Sequence, residues 1–241
     1  MAKRLRILAG PNGSGKTSIY NDLRDSFHWG VFVNADNIES TLKKNGEIDL
    51  SVFGVVGVKN AVFEEAFNQS SQAQKSTCTL ENVQIEDDVL SVLNSNLLDS
   101  YFAAFVASFI QIYLLEVGIS FSIETVMSHP SKLEFMRMAR GKGYRIYLYY
   151  VSTQSSNINV GRVRQRVAEG GHNVSEDKIH TRYIRSLEQL LDAIKLSDRA
   201  YLFDNSGQKY QRVAEYNSAD SKLRVSQNIN WVNQFVLNKL P

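Results

Sequence analysis

The sequence predicts an α/β fold in which a doubly wound, mainly parallel sheet is flanked by helices. Short apolar, β-rich runs alternate with amphipathic helical runs along most of the chain. The first β-rich run leads into a glycine-rich loop and then a helix, which is the arrangement found in open parallel sheets. With 241 residues and 43% hydrophobic residues, the chain is long enough to bury a substantial core.

The N-terminal part supplies two strand and helix pairs. Residues 4–9 are predicted as a strand because Leu5, Ile7 and Leu8 are apolar, and residues 16–24 as the helix that follows the loop. Residues 31–33 are predicted as a second short strand. A helix over 38–44 should then end near Gly46.

The C-terminal part continues the alternation. Residues 119–125 are predicted as a third strand, and Ser131 with Glu134 has the spacing of a capping box that opens a helix ending at Gly141 and Gly143. The remaining predictions are a strand over 144–151, helices over 157–169 and 176–196, strands over 200–203 and 211–216, and a last helix over 231–240.

Two segments depart from this alternation. Residues 45–95 have scattered charges and little periodicity, and we interpret them as a helical insertion in a single domain that spans residues 1–241. Residues 101–115 are almost entirely apolar but fall short of the roughly 20 residues that a membrane span needs. We therefore expect a buried core helix there and no membrane contact.

Composition sets limits on location and partners. A net charge of +2 is too small to imply nucleic-acid binding by itself, so a basic function requires local clustering of Lys and Arg. The single cysteine, Cys78, cannot form an internal disulfide, and residues 1–6 lead directly to the glycine-rich loop rather than to a secretory apolar segment. These features favour a cytoplasmic location.

The glycine-rich loop has the composition of a phosphate cradle. Gly10, Gly15, Lys16 and Thr17 match the Walker A motif G-x-x-x-x-G-K-[ST], between a predicted strand and a predicted helix. Backbone N–H groups of such a loop surround phosphates, the lysine reaches the β- and γ-phosphates, and the Thr17 hydroxyl can bind Mg²⁺. A turn required only for packing would not need Lys16 and Thr17. We expect ATP and Mg²⁺ as ligands, held by Gly10, Pro11, Asn12, Gly13, Ser14, Gly15, Lys16, Thr17 and Ser18.

Polar residues at two predicted strand ends are candidates for an acceptor site. Asp36 ends the sequence NAD that begins at Asn34, and its carboxylate can take the proton of an acceptor hydroxyl; the alternative is that Asp36 caps the next helix. Glu124 and Thr125 end the third strand and can hold a sugar hydroxyl or a metal-bound water; the alternative is a surface loop without a ligand. The four histidines do not have the spacing of a zinc site.

A cluster of arginines follows the fourth predicted strand. Arg162 and Arg166 lie four apart on one helix, and Arg182 and Arg185 lie three apart on the next, with the turn EGGH between the helices. Two such helices on a glycine hinge can form a lid whose guanidinium groups reach the γ-phosphate. The alternative is a solvated face whose arginines pair with Glu169, Glu176 and Asp177.

Several segments together resemble the zeta-toxin family of P-loop kinases. They are GPNGSGKT, FVNAD, FSIETVMSHPSK, GYRIYLYYV, RVRQRVAEGGHNV, RYIRSL and DRAYLFDNS, within residues 5–36 and 121–206. The resemblance implies a P-loop NTPase fold like that of shikimate kinase and ATP-dependent phosphorylation of the 3'-hydroxyl of UDP-N-acetylglucosamine, with an antitoxin protein as partner. It implies Asp36 as general base, Asn34, Glu124 and Thr125 near the acceptor, and Arg162, Arg166 and then Arg182 at the γ-phosphate.

Two departures from the family pattern leave the acceptor open. Thr125 and Val126 follow Glu124 where toxin members usually have a glycine, and compact toxins lack an insertion like that of residues 45–95. The acceptor is therefore a sugar nucleotide or another small hydroxyl compound. A nucleotide-dependent binding module or ATPase is the alternative function. A polynucleotide kinase ranks third, because the sequence has no basic and aromatic groove pattern and nucleic acid is not an expected partner.

Overall fold

The computed structural model describes residues 2–171 and 173–240. The chain divides into two compact units. The first unit comprises Met1–Trp29 and Ser122–Pro241, and the second comprises Gly30–Phe121. The assignment of a single domain to residues 1–241 stays a prediction.

The described part of the chain contains ten strands and nine α-helices. The strands are β1 (Arg4–Ala9), β2 (Val31–Val33), β3 (Glu47–Asp49), β4 (Val83–Glu86), β5 (Val89–Val92), β6 (Phe121–Thr125), β7 (Arg145–Ser152), β8 (Arg199–Asp204), β9 (Gln211–Asn217) and β10 (Lys222–Val225). The helices are α1 (Lys16–Leu23), α2 (Ala35–Asn45), α3 (Asn60–Gln69), α4 (Ser100–Val117), α5 (Ser131–Gly141), α6 (Ser156–Ala168), α7 (Glu176–Glu188), α8 (Leu190–Leu196) and α9 (Asn230–Phe235).

The sheet of the first unit has the strand order β10-β9-β8-β7-β1-β6. At its centre β1 and β8 both run parallel to β7, while β9 and β10 add an antiparallel edge. Because β1 and β7 are fully paired from Arg4 and Arg145 onward, their carboxyl ends meet at one edge of the sheet. The predicted α/β class with a mainly parallel sheet flanked by helices is confirmed.

The core of the first unit fixes the glycine-rich loop between β1 and α1. Ile19 of α1 packs against Leu8 of β1 in a buried cluster that also contains Trp29, Tyr149 and Phe203. Apolar positions spaced for a strand in β1 and for a helix in α1 therefore meet on one face of the sheet. Their packing holds both ends of the loop.

Several predicted boundaries need correction. The helix predicted over 176–196 is two helices, α7 and α8, that break at Gln189. The Gln189 side-chain amide, oriented so that both of its polar atoms pair, bonds to the backbone N–H and C=O of His129. The prediction of a capping box was wrong. Ser131 already lies within the helix, and its hydroxyl pairs with His129 Nδ1 at 2.9 Å. Strand β10 was not predicted, and the last α-helix ends at Phe235, before a short 3₁₀ turn.

The second unit is not purely helical in the segment predicted as an insertion. Residues 45–95 contain α3 together with an antiparallel sheet of order β3-β5-β4. Phenylalanines from α3 and α4 form much of the unit's core, with Phe63 packing edge to face on Phe105 and Phe109 at ring-centroid distances of 5.2 and 5.1 Å.

Helix α4 contains the apolar run at residues 101–115. It extends over 18 residues, so by length and composition alone it meets the requirement for a membrane span. Ten of its side chains are buried, which is the pattern of a core helix and agrees with the prediction.

The two units carry opposite charges. The first holds 23 Lys and Arg against 13 Asp and Glu, and the second holds 4 against 12. The net charge of +2 therefore combines a unit of +10 with one of −8. The first unit, which contains the glycine-rich loop, is suited to anionic ligands.

Candidate functional site

The glycine-rich loop lies where the carboxyl end of β1 meets the amino end of α1. The N–H of Gly10 donates to the Thr125 carbonyl at the end of β6, at 3.2 Å, so the loop starts at the sheet edge where β6 also ends. Helix α1 begins at Lys16 without a side-chain cap. The backbone N–H groups of its first turn and the positive end of its dipole favour an anion at this position.

Two asparagines from other segments hold the loop in place. Asn159 of α6 donates from Nδ2 to the Asn12 carbonyl at 2.7 Å, and Asn205 donates from Nδ2 to the Ser14 carbonyl at 2.8 Å. Asn205 follows β8 and is itself fixed through its backbone N–H, which donates to the Ser152 carbonyl at 2.8 Å. The loop is thus tied to the segments after β7 and β8.

These contacts explain why the loop needs glycine. At Gly13 the backbone has φ 74°, and a Cβ would lie 2.5 Å from the Asn159 carbonyl oxygen. At Gly15 the backbone has φ 92°, and a Cβ would lie 2.0 Å from Asn205 Nδ2. Both positions combine a left-handed conformation with an approach that leaves no room for a side chain.

Lys16 lies over the loop and is nearly buried. Its ammonium donates to the carbonyls of Gly10 and Pro11 at 2.9 and 3.1 Å. Glu124, at the end of β6, places Oε1 3.7 Å from Lys16 Nζ. The structure therefore brings together the predicted phosphate-binding lysine and one of the two predicted acceptor-site acids.

Two buried polar atoms beside the loop have no hydrogen-bond partner. They are the Ser14 hydroxyl oxygen and Arg162 Nη1. Arg162 Nη1 also lies 3.9 Å from where a Gly15 Cβ would be. Buried polar groups are rarely left unpaired, so each of these atoms is a candidate contact for an anionic ligand at the loop.

The predicted lid helices pack on each other through an apolar seam of Val160, Val163 and Ile179. Arg182 of α7 reaches the loop, with Nη1 3.4 Å from Asn12 Oδ1. Arg166 packs against Gly171, where a Cβ would lie 2.6 Å from Arg166 Cγ. The structure thus places Arg162 and Arg182 at the loop and Arg166 at the glycine turn.

The predicted alternative to a lid, an exposed arginine paired with an acid, is found at Arg164, which is not one of the arginines predicted at the γ-phosphate. Arg164 is exposed and pairs with Glu176 at 2.6 Å. The turn residue His172 lies outside the described residues. Closure of the two helices as a lid stays a prediction.

The end of β6 is tied to α7. The Ser186 hydroxyl donates to the Val126 carbonyl at 2.7 Å and also pairs with the Tyr150 hydroxyl at 2.9 Å. Thr125 accepts from the Met127 N–H at 3.0 Å, and Met127 is buried with φ 54°. A left-handed methionine is strained, so the backbone just after β6 is held by its surroundings.

Asn34 and Asp36 belong to the second unit. The Asn34 side chain caps α2 by accepting from the N–H groups of Asp36 and Asn37, at 2.8 and 3.1 Å. The alternative that Asp36 is the cap is therefore wrong. Asp36 lies in the first turn of α2 and is exposed, so its carboxylate is available to a ligand.

A pocket of about 680 Å³ adjoins the loop on the α1 side. It is lined by Gly15, Ser18, Asp22, Arg162, Asn205, Gly207, Gln208, Lys209 and Tyr210. Burial, and then the nearby Asp22 carboxylate, raises the pKa of Tyr210, so its hydroxyl stays protonated and can donate. The pocket combines an aromatic wall with groups of both charges.

The predicted metal ligand, Thr17, is exposed in the first turn of α1. Within the described residues, no group of three or more His, Cys, Asp and Glu side chains is placed to hold a metal ion. A hydroxyl at the start of α1, beside a phosphate cradle, fits Mg²⁺ that is shared with a nucleotide and keeps several waters.

Sequence reasoning assigned no role to Asn159 or Asn205. Asn205 follows directly after a predicted strand, in the sequence DNS, and polar residues after strands of parallel sheets are often part of a site. That signal was present in the sequence. Asn159 lies inside a predicted helix, so nothing in its local pattern marks its contact with the loop.

Comparison with known proteins gives one family match. The zeta toxin family model matches residues 91–218. An uncharacterised protein of Haemophilus influenzae is 31% identical over 71 residues, which cover 30% of this chain and 51% of that protein. This chain therefore spans about half the length of that relative.

Solved structures resemble the chain in fold. A chain from the PezAT chromosomal toxin-antitoxin system of Streptococcus pneumoniae superposes with a TM-score of 0.53 at 13% identity, covering 99% of this chain and 80% of that one. A chain from the AvrRxo1-ORF1:-ORF2 structure with ATP gives a TM-score of 0.53 at 16% identity, covering 93% of this chain and 61% of that one.

Proposed function

The chain belongs to the zeta-toxin family, and from this premise we propose that it is an ATP-dependent kinase that transfers the γ-phosphate to a hydroxyl of a small molecule. The observation that carries the proposal is the phosphate cradle. A loop that excludes side chains at Gly13 and Gly15 leaves the Ser14 hydroxyl and Arg162 Nη1 buried without partners. A nucleotide phosphate would pair with both groups.

The nucleotide would extend from the loop into the adjoining pocket. Gly15, Ser18 and Arg162 border both, so the phosphates and the nucleoside can be bound together. Tyr210 offers an aromatic ring and Asp22 offers a carboxylate acceptor, which suits a purine base and its ribose. The neighbour solved with ATP supports this donor.

The remaining site residues have assigned roles in transfer. Lys16 binds the β- and γ-phosphates, while Arg162 and Arg166, with Arg182 next, stabilise the charge on the γ-phosphoryl oxygens. Thr17 would hold Mg²⁺, which offsets the phosphate charge when bound. Asp36 takes the proton from the acceptor hydroxyl as the new O–P bond forms and the bond from the γ-phosphorus to ADP breaks.

Asn34, Asp36, Glu124 and Thr125 would contact the acceptor. Carboxylates and a hydroxyl are suited to the hydroxyl groups of a sugar. A sugar nucleotide, with the 3'-hydroxyl of UDP-N-acetylglucosamine as the first candidate, is therefore the proposed acceptor. We also propose an antitoxin protein as a partner, which the PezAT toxin-antitoxin neighbour supports.

The proposal is tested by incubating the protein with Mg²⁺, ATP and a metabolite extract, followed by mass spectrometry. A phosphate-sized mass gain on one metabolite, lost in Lys16→Ala, is expected. A parallel reaction contains UDP-N-acetylglucosamine, and another contains an oligonucleotide with free hydroxyl ends, because the first unit carries a charge of +10. ATP binding without any phosphorylated product would favour the binding module and contradict the kinase.

A further inference from the structure

Lys16 and Glu124 form an ion pair that is largely shielded from solvent. Their side chains are 8% and 16% exposed, and Nζ lies 3.7 Å from Oε1. Ions in solution screen such a pair much less than a surface pair. Any ligand that binds Lys16 must share the ammonium with Glu124.

The backbone of the loop fixes where the ammonium lies. Lys16 donates to the carbonyls of Gly10 and Pro11, and an ammonium has three N–H donors in all. Thr125, next to Glu124, is tied through its carbonyl to the Gly10 N–H. The ammonium and the backbone that carries Glu124 are thus both joined to the glycine-rich loop.

We propose that Glu124 restrains Lys16 and so makes tight ATP binding depend on occupation of the acceptor site. With the acceptor absent, the carboxylate competes with the ATP phosphates for the ammonium. An acceptor hydroxyl that donates a hydrogen bond to Glu124 weakens the attraction between that carboxylate and the Lys16 ammonium. The ammonium then interacts more strongly with the ATP phosphates. This inference rests on the proposed function, because it uses the donor and acceptor sites named there.

The coupling has two consequences. By linkage, ATP must strengthen acceptor binding by the same factor as the acceptor strengthens ATP binding. A site filled with ATP alone also holds the phosphates less tightly. Glu124 is in this respect a positioning residue that acts on the phosphates through Lys16.

A double-mutant cycle on the full chain tests the restraint without the acceptor. ATP affinity is measured by displacement of a fluorescent ATP analogue, in EDTA so that no metal bridges the groups, for the wild type, Glu124→Gln, Lys16→Met and the double variant. We expect Glu124→Gln to bind ATP about tenfold tighter than the wild type, since it removes one contact charge. In the Lys16→Met background the same substitution should change affinity less than twofold.

Two results would overturn the restraint. One is an unchanged ATP affinity in Glu124→Gln. The other is an equal gain in the Lys16→Met background, which would mean that the carboxylate repels phosphate directly. Glu176→Gln, which removes a carboxylate from the exposed pair with Arg164, is the matched control and should bind ATP like the wild type. Urea unfolding verifies that each variant is folded, and Glu124→Ala repeats the cycle if Glu124→Gln is not. Failure of both the wild type and Glu124→Gln to bind ATP, with Mg²⁺ present as well as in EDTA, would instead contradict the proposed function.

Discussion

Replacing Asn205 by alanine should destabilise the present conformation of the glycine-rich loop. The change deletes the amide that donates to the Ser14 carbonyl at 2.8 Å, in a place where Asn205 is 9% exposed and Ser14 fully buried. A buried carbonyl that loses its donor costs about 1–3 kcal/mol. If the loop binds nucleotide only in its present conformation, that cost weakens ATP binding by about 5- to 150-fold.

Two measurements separate the effects of Asn205→Ala. Calorimetric titration with ATP gives the affinity, and urea unfolding gives the free energy of unfolding. Asn205→Asp should be worse for ATP, because a carboxylate cannot donate to the Ser14 carbonyl and adds negative charge near the phosphates. Asn82→Ala, which removes a surface hydrogen bond to Thr79, is the control. An ATP affinity within twofold of the wild type in Asn205→Ala would refute the assigned role.

Three other predictions follow from the same contacts. Gly13→Ala should lower the free energy of unfolding by about 3 kcal/mol or more, and Gly143→Ala by about 1 kcal/mol. The difference arises because Gly143 has φ 79° but no atom within 4 Å of its Cβ position. Equal decreases in urea unfolding would contradict steric crowding at Gly13. Arg162→Ala should slow phosphoryl transfer by about 10³-fold or more, while the rate of Arg164→Ala should stay within twofold of the wild type in the same assay. Similar rate decreases in the two variants would contradict the role of Arg162 at the γ-phosphate. Burial and then the Asp99 charge raise the pKa of Cys78 from 9.0 to about 11, so the stability that the neutral thiol contributes to the fold is complete below pH 9 and is lost as pH rises through 11. Between pH 8 and pH 10.5, the free energy of unfolding in urea should therefore fall less in Cys78→Ala than in the wild type. Equal decreases would contradict this contribution of Cys78.

The parts of the fold that sequence could predict are those with strong local patterns. The apolar run of β1, the Walker A loop and α1 occur in the predicted order and nearly at the predicted bounds. Helix α4 was recognisable because its apolar residues exceed what a surface helix exposes. In these segments local pattern and tertiary packing favour the same structure.

Other features depend on contacts that no local pattern contains. The break at Gln189 has neither proline nor glycine, and its amide pairs with the backbone of His129, far away in sequence. Strands β4 and β5 are four residues long, so periodicity in residues 45–95 was too short to detect. Short strands and tertiary breaks therefore needed the structure.

The candidate site shows the same division. Lys16 and Thr17 were predictable because the motif sets their spacing. The contact of Asn159 with Asn12 joins segments 147 residues apart, and that of Asn205 with Ser14 joins segments 191 residues apart. Such contacts arise because the carboxyl ends of neighbouring strands converge, and a single sequence does not indicate which side chains meet there.

The most direct test of kinase activity is transfer of an isotope-labelled γ-phosphoryl group from ATP to an acceptor. The wild type, Lys16→Ala and Asp36→Asn are compared with UDP-N-acetylglucosamine and with the phosphorylated metabolite from the extract. We expect labelled product from the wild type, none from Lys16→Ala, and a much slower rate with unchanged ATP affinity for Asp36→Asn. Normal transfer by Asp36→Asn would contradict the assigned base, and ATP binding by the wild type with no label on any acceptor would contradict the kinase itself.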